Sequence, residues 1–207
     1  MAGEIDTQQV ITDLLPALHS DTRANLTWWT ETDLIEYIDE GLKRLARIAA
    51  VFVERDTSQT TGIGTATYSL PARHVATLHV SWGTAPLVPA NELELESLDP
   101  AYQTTQDVPA YWYEDRIGLQ TVGLAPVPNA AKALGIVHTC WPPVIDIGKL
   151  NTLVQAPAPV AGYLAMVTLS RVYGREGEAE MPDVAKHCAA QVQLYEAAFQ
   201  RYFGVSA

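Results

Sequence analysis

The sequence predicts an α+β protein: a helical bundle assembled from both ends of the chain, with a β-rich subdomain inserted between them. Three observations carry this. Leu34, Ile35, Ile38, Leu42, Leu45, Ala49 and Phe52 recur at helical three- and four-residue steps. From about Pro159 the helical period returns and runs almost to the end of the chain. Between these stretches lie short segments rich in β-branched and aromatic residues, punctuated by proline and glycine. The expected division is 1–55 with 157–207 for the bundle and 56–156 for the β-rich insertion.

The elements follow in order. Thr7 to Leu18 is the first helical candidate, weakened at Pro16, with a polar stretch after it. Thr30 can cap the second and clearest helix, with Asp33 three residues on; its acids come early and its bases late, as the helix dipole favours. Asp56 to Gly64 is polar and contains glycine, so a loop or hairpin tip is expected. Thr65–Leu70 and Val75–Trp82 read as strands around a turn at Pro71-Ala72. Ala90–Leu98 reads as a short helix with Leu93 and Leu98 sharing a side. Pro109–Glu114 and Ile117–Leu124 read as strands around a tight turn at Asp115-Arg116. Leu134–Trp141 is a further strand, ended by Pro142 and Pro143. Leu164 to Tyr173 is helical up to Gly174, and Pro182 opens a final helix that Gly204 ends.

Composition narrows the function classes. A chain of 207 residues with 48% apolar and 18% charged content is globular rather than disordered. No apolar run reaches the ~20 residues of a membrane span, so no membrane partner is expected. The first residues lack the basic and apolar regions of a signal peptide, which points to folding in the cytoplasm. Thirteen Lys and Arg against 24 Asp and Glu give a formal charge of −11, without the clustered cations that phosphate neutralisation requires. Such a surface suits DNA passing by rather than DNA held. Two cysteines, Cys140 and Cys188, make no disulfide framework.

Catalytic patterns are weak. Gly62-Ile63-Gly64 is a lone Gly-x-Gly with no βαβ context and no following Lys-Ser/Thr. His138 and Cys140 share a strand face and His79 falls on a neighbouring strand, but zinc needs about four placed ligands, and no metal is expected. His187 and Cys188 diverge on a helix and form no nucleophile–base pair. Glu92, Glu94, Glu96, Asp99, Glu114, Asp115 and Asp146 read as solvated surface; a hydrolase would need two of them across a cleft. No catalytic residue and no cofactor are therefore expected. Trp28, Trp29, Trp82, Trp112 and Trp141 suit either core packing or subunit contact.

The order of motifs carries more than any one of them. Trp28-Trp29-Thr30-Glu31 through Glu40 resembles the helix opening of tailed-bacteriophage head-to-tail adaptor proteins. Ala66-Thr67-Tyr68-Ser69-Leu70-Pro71 is similar to that family's Tyr-x-Leu-Pro strand end, and Pro109-Ala110-Tyr111-Trp112-Tyr113 to its Pro-x-x-Tyr strand. Ile117-Gly118-Leu119 through Pro126-Val127-Pro128 and Cys140-Trp141-Pro142-Pro143 resemble its later marks. The resemblance spans about Asn25 to Phe203; Gly41 and Asp39 depart from residues common in the family.

What the resemblance implies is a non-enzymatic virion protein of the neck, made in the cytoplasm of a bacterial host. It would form a ring, commonly of about twelve subunits, beneath the capsid portal. The ring would meet the tail or next neck protein and extend the DNA channel. The aromatic end of the last helix, Tyr195, Phe199, Tyr202 and Phe203, is the candidate partner-binding set, because an exposed aromatic patch is costly. Rival readings are another neck or tail completion protein, a virion-associated hydrolase, and a carbohydrate-binding module.

Overall fold

A computed structural model describes residues 3–6, 10, 31–114, 120–145, 153–174 and 181–204, with backbone alone for 3–6, 31 and 153–156. Among the described residues four helices and several sheets make an α+β fold, with helices flanking a β-rich region in sequence. The chain divides into two compact units, one of residues 1–52 with 141–207 and one of 53–140. The β-rich unit thus runs over a shorter stretch than the expected 56–156. The expected helix at 7–18, the Thr30 cap and the turn at Asp115-Arg116 lie outside the described residues, save Val10, which is buried.

The first unit contains helices α1 (Glu31–Ile48), α3 (Pro159–Gly174) and α4 (Pro182–Phe203). Every residue of the expected α1 stripe is buried, from Leu34 to Phe52. The period dictates this: positions three and four apart face one side, and that side cannot stay wet. Helix α3 packs on both α1 and α4. Gly41 permits a close approach of α1 to α3, since a Cβ there would lie 3.1 Å from Leu164 and 3.3 Å from Val167. Two short strands, β1 (Gly3–Asp6) and β12 (Leu153–Ala156), pair antiparallel in the same unit.

Pro182 stands in the first turn of α4, where a missing N–H costs nothing. Gly204 follows the last helical residue, but in extended rather than left-handed backbone (φ −63°). Its glycine identity answers crowding instead: a Cβ would sit 2.1 Å from the Gln200 carbonyl oxygen.

The second unit is a β-sandwich. One sheet has the order β2 (Val53–Thr60), β11 (Ala133–Cys140), β4 (His74–Trp82), β5 (Ala85–Pro86). The other has the order β3 (Thr67–Ser69), β9 (Thr121–Ala125), β8 (Tyr111–Glu114), β6 (Val88–Pro89). Val80, Trp82, Leu134 and Ile136 from the first meet Tyr68, Trp112, Val122 and Leu124 from the second in one core. A parallel pair, β7 (Gln106–Asp107) with β10 (Val127–Pro128), and the short helix α2 (Glu92–Leu98) complete the unit.

Two sequence expectations change here. The stretch from Asp56 reads as loop, yet β2 continues to Thr60 before the turn at Gly62-Gly64. No residue of β2 is buried, so no hydropathy period marks it; the ladder to β11 holds it. Helix α2 is real and carries a capping box between Asn91 and Glu94. However, Leu93 and Leu98 do not face a core. They are 78% and 68% exposed, and Leu95 between them is the buried anchor.

Candidate partner-binding surface

The last helix is held by an aromatic ladder and one polar network. Tyr163 on α3 meets Phe199 edge-on with ring centres 5.9 Å apart, Phe199 stacks on Tyr195 at 6.3 Å, and Phe203 follows at 6.1 Å. Gly162 makes room for this, since a Cβ there would lie 2.8 Å from the Tyr195 hydroxyl. The i, i+4 spacing of Tyr195, Phe199 and Phe203 places the three rings along one side of α4.

Glu196 ties the three helices together. Its carboxylate accepts from Arg44 on α1 through Nε (2.6 Å) and Nη2 (2.8 Å), and from the Tyr163 hydroxyl on α3 (3.2 Å). The Tyr163 ring is fully buried, and that burial, reinforced by the neighbouring Glu196 charge, holds its hydroxyl proton well above the usual tyrosine range. The Ala50 N–H donates to the Phe203 carbonyl (2.8 Å), fastening the end of α4 beside the exit of α1.

The four aromatic residues picked out in the sequence therefore have different places. Phe199 is buried, and Tyr195 and Phe203 are half-buried. Tyr202 alone stands out, 77% exposed, with Leu194 a further exposed apolar side chain on the same helix. Helical spacing identifies the apolar side of α4 but not whether a residue on its margin meets this chain or another.

A groove of about 390 Å³ opens along this helical layer, and a second of about 400 Å³ adjoins it, sharing Glu40, Ser170 and Arg171. Arg44, Arg171 and Lys186 line it together with Glu40, over Val167 and Val192. Arg171 pairs with Glu40 across α3 and α1. Periodicity gives no sign of this groove, because its walls come from three separated helices.

In the β-rich unit two histidines meet. His74 packs against His138 with ring centres 5.4 Å apart, and its Nε2 lies 2.9 Å from the Thr77 hydroxyl and 4.0 Å from Glu114. Burial lowers the His74 pKa, and Glu114 partly offsets this. Cys140 is registered opposite His74, so His74 rather than His79 is the histidine brought to the His138–Cys140 end of the strand. Burial pushes the Cys140 thiol up to about 11 and raises that of Cys188. Among the described residues no group of three or more His, Cys, Asp or Glu side chains has metal-holding geometry.

The SU10 adaptor protein family matches residues 6–206, nearly the whole chain. The chain belongs to this family. It is a family of phage head-to-tail adaptors, as the ordered strand and helix marks imply. No curated protein sequence matches the chain significantly. Membership in the SU10 adaptor family makes this a phage structural protein that interacts with other head and tail components. No helix among the described residues is long and apolar enough to cross a membrane.

Proposed function

We propose that this SU10 adaptor forms a closed ring of about twelve copies that docks beneath the capsid portal, receives the tail or next neck protein, and extends the DNA channel. The match of the adaptor family across residues 6–206 carries this reading. The chemistry supports it. A formal charge of −11 favours DNA sliding past the ring rather than adhering to it, provided carboxylates face the lumen. The protein acts by shape and contact, without catalysis or cofactor. It is made in the host cytoplasm and ends in the neck of the virion. Within it, residues 53–140 act as a subdomain inserted into the helical unit.

The portal contact falls on the C-terminal end of α4. Tyr195, Phe199 and Phe203 brace the helix from within, and Tyr202 presents its ring to the portal. Exposed aromatics of this kind serve as interface anchors. Truncation before Tyr195 would also remove Glu196 and Phe199 and so damage the helical unit itself. Tyr202→Asp is the cleaner probe. The variant should melt as the parent does and lose pull-down by purified portal rings. Retained portal binding would refute the contact, and a single copy per particle would favour a neck completion protein instead.

A further inference from the structure

The groove between α1, α3 and α4 has a complement elsewhere in the chain. Arg44, Arg171 and Lys186 line it with Glu40; Arg44 is held by Glu196 and Arg171 by Glu40, which leaves Lys186 as the spare cation. Lys186 has no ion-pair partner among the described residues. The floor is apolar at Val167 and Val192. From Tyr37 to Arg44 the α1 wall spans ~10 Å at 1.5 Å per residue.

Helix α2 answers each of these features. Its seven residues also span ~10 Å. It carries Glu92, Glu94 and Glu96 with Asp99 after it, and no cation. Leu93 projects 78% exposed, although Leu95 anchors the helix in its own core and the Asn91–Glu94 capping box fixes its start. A rigid acidic helix with an exposed leucine is the shape and charge that a groove with an unpaired lysine and an apolar floor accepts.

We propose that α2 of one copy seats in the α1–α3–α4 groove of the next copy, Leu93 on the Val167–Val192 floor and Glu92 and Glu96 toward Lys186. The contact joins two different surfaces, so it is heterologous, the type that generates rings rather than isolated pairs. It rests on the ring reading and adds to it which faces meet.

The test uses particles carrying the full chain with Leu93→Cys and Ala189→Cys, mildly oxidised. Ala189 lines the groove and is exposed, and the native thiols are buried. The expected result is a ladder of disulfide-linked multimers, absent from either single variant. A second pair, Ser97→Cys with Gln193→Cys, should give the same ladder. Adding Glu96→Lys to the first pair should weaken the ladder several-fold, and adding Lys186→Glu as well should restore it. Many copies per particle without a ladder from either pair would overturn the inference and leave the ring standing. One copy per particle would overturn both.

Discussion

Replacing Glu196 by alanine tests the packing of the helical layer. The side chain is only 14% exposed and accepts from both Arg44 and the Tyr163 hydroxyl. Removing it strands a fully buried tyrosine hydroxyl, which costs about 1–3 kcal/mol. Arg44 is half-exposed and regains water, so loss of the ion pair adds about 0–1 kcal/mol. The expected total is about 1–4 kcal/mol, or on the order of 2–16 °C in melting temperature for a chain of this size. Glu196→Gln keeps an acceptor for Tyr163 and should cost about 1 kcal/mol. Arg44→Ala should cost less than Glu196→Ala, because it leaves the tyrosine paired. Thermal unfolding followed by far-UV circular dichroism reads all three. A Glu196→Ala melt within about 1 °C of the parent, or a larger loss from Arg44→Ala, would refute the reasoning.

Three further outcomes follow. Gly123→Ala places a Cβ about 2.1 Å from the Tyr113 ring, so it should destabilise by about 1–3 kcal/mol, read as a lower denaturant midpoint. Because the His74 pKa is lowered on folding, the unfolded chain binds the proton first as pH falls below about 6.5. The stability linked to His74 is therefore intact above that pH and declines below it; denaturant titrations at about pH 7.5 and 5.5 should show the loss, and His74→Gln should reduce it. With its thiol held at about 11 by burial, Cys140 should resist maleimide at neutral pH, as should buried Cys188, and both should label on unfolding. Fast labelling of either in the native protein would contradict its burial.

The parts of the fold written as local periods were legible in the sequence. The α1 stripe from Leu34 to Phe52 specifies a helix and its buried side together, and Pro71, Pro142 and Pro182 mark boundaries that the backbone respects. Strand β2 was hidden because Val53–Thr60 buries nothing and owes its conformation to β11, more than seventy residues away. The β1–β12 pair joins residues about 150 positions apart in the sequence and leaves no local mark. The site was legible only in outline. Aromatic spacing on α4 was visible, but whether Phe199 faced inward and Tyr202 outward depended on Tyr163, Glu196 and Arg44 meeting from three helices. The family marks were readable because their order along the chain is itself sequence information.

The central claim is a ring joined to the portal. Mixing the purified full chain with portal rings, and imaging the complex by electron microscopy, tests it most directly. The account predicts a closed ring coaxial with the portal, about twelve subunits around an open channel, with α4 against the portal. Failure to bind, or a single copy plugging the channel, would contradict it.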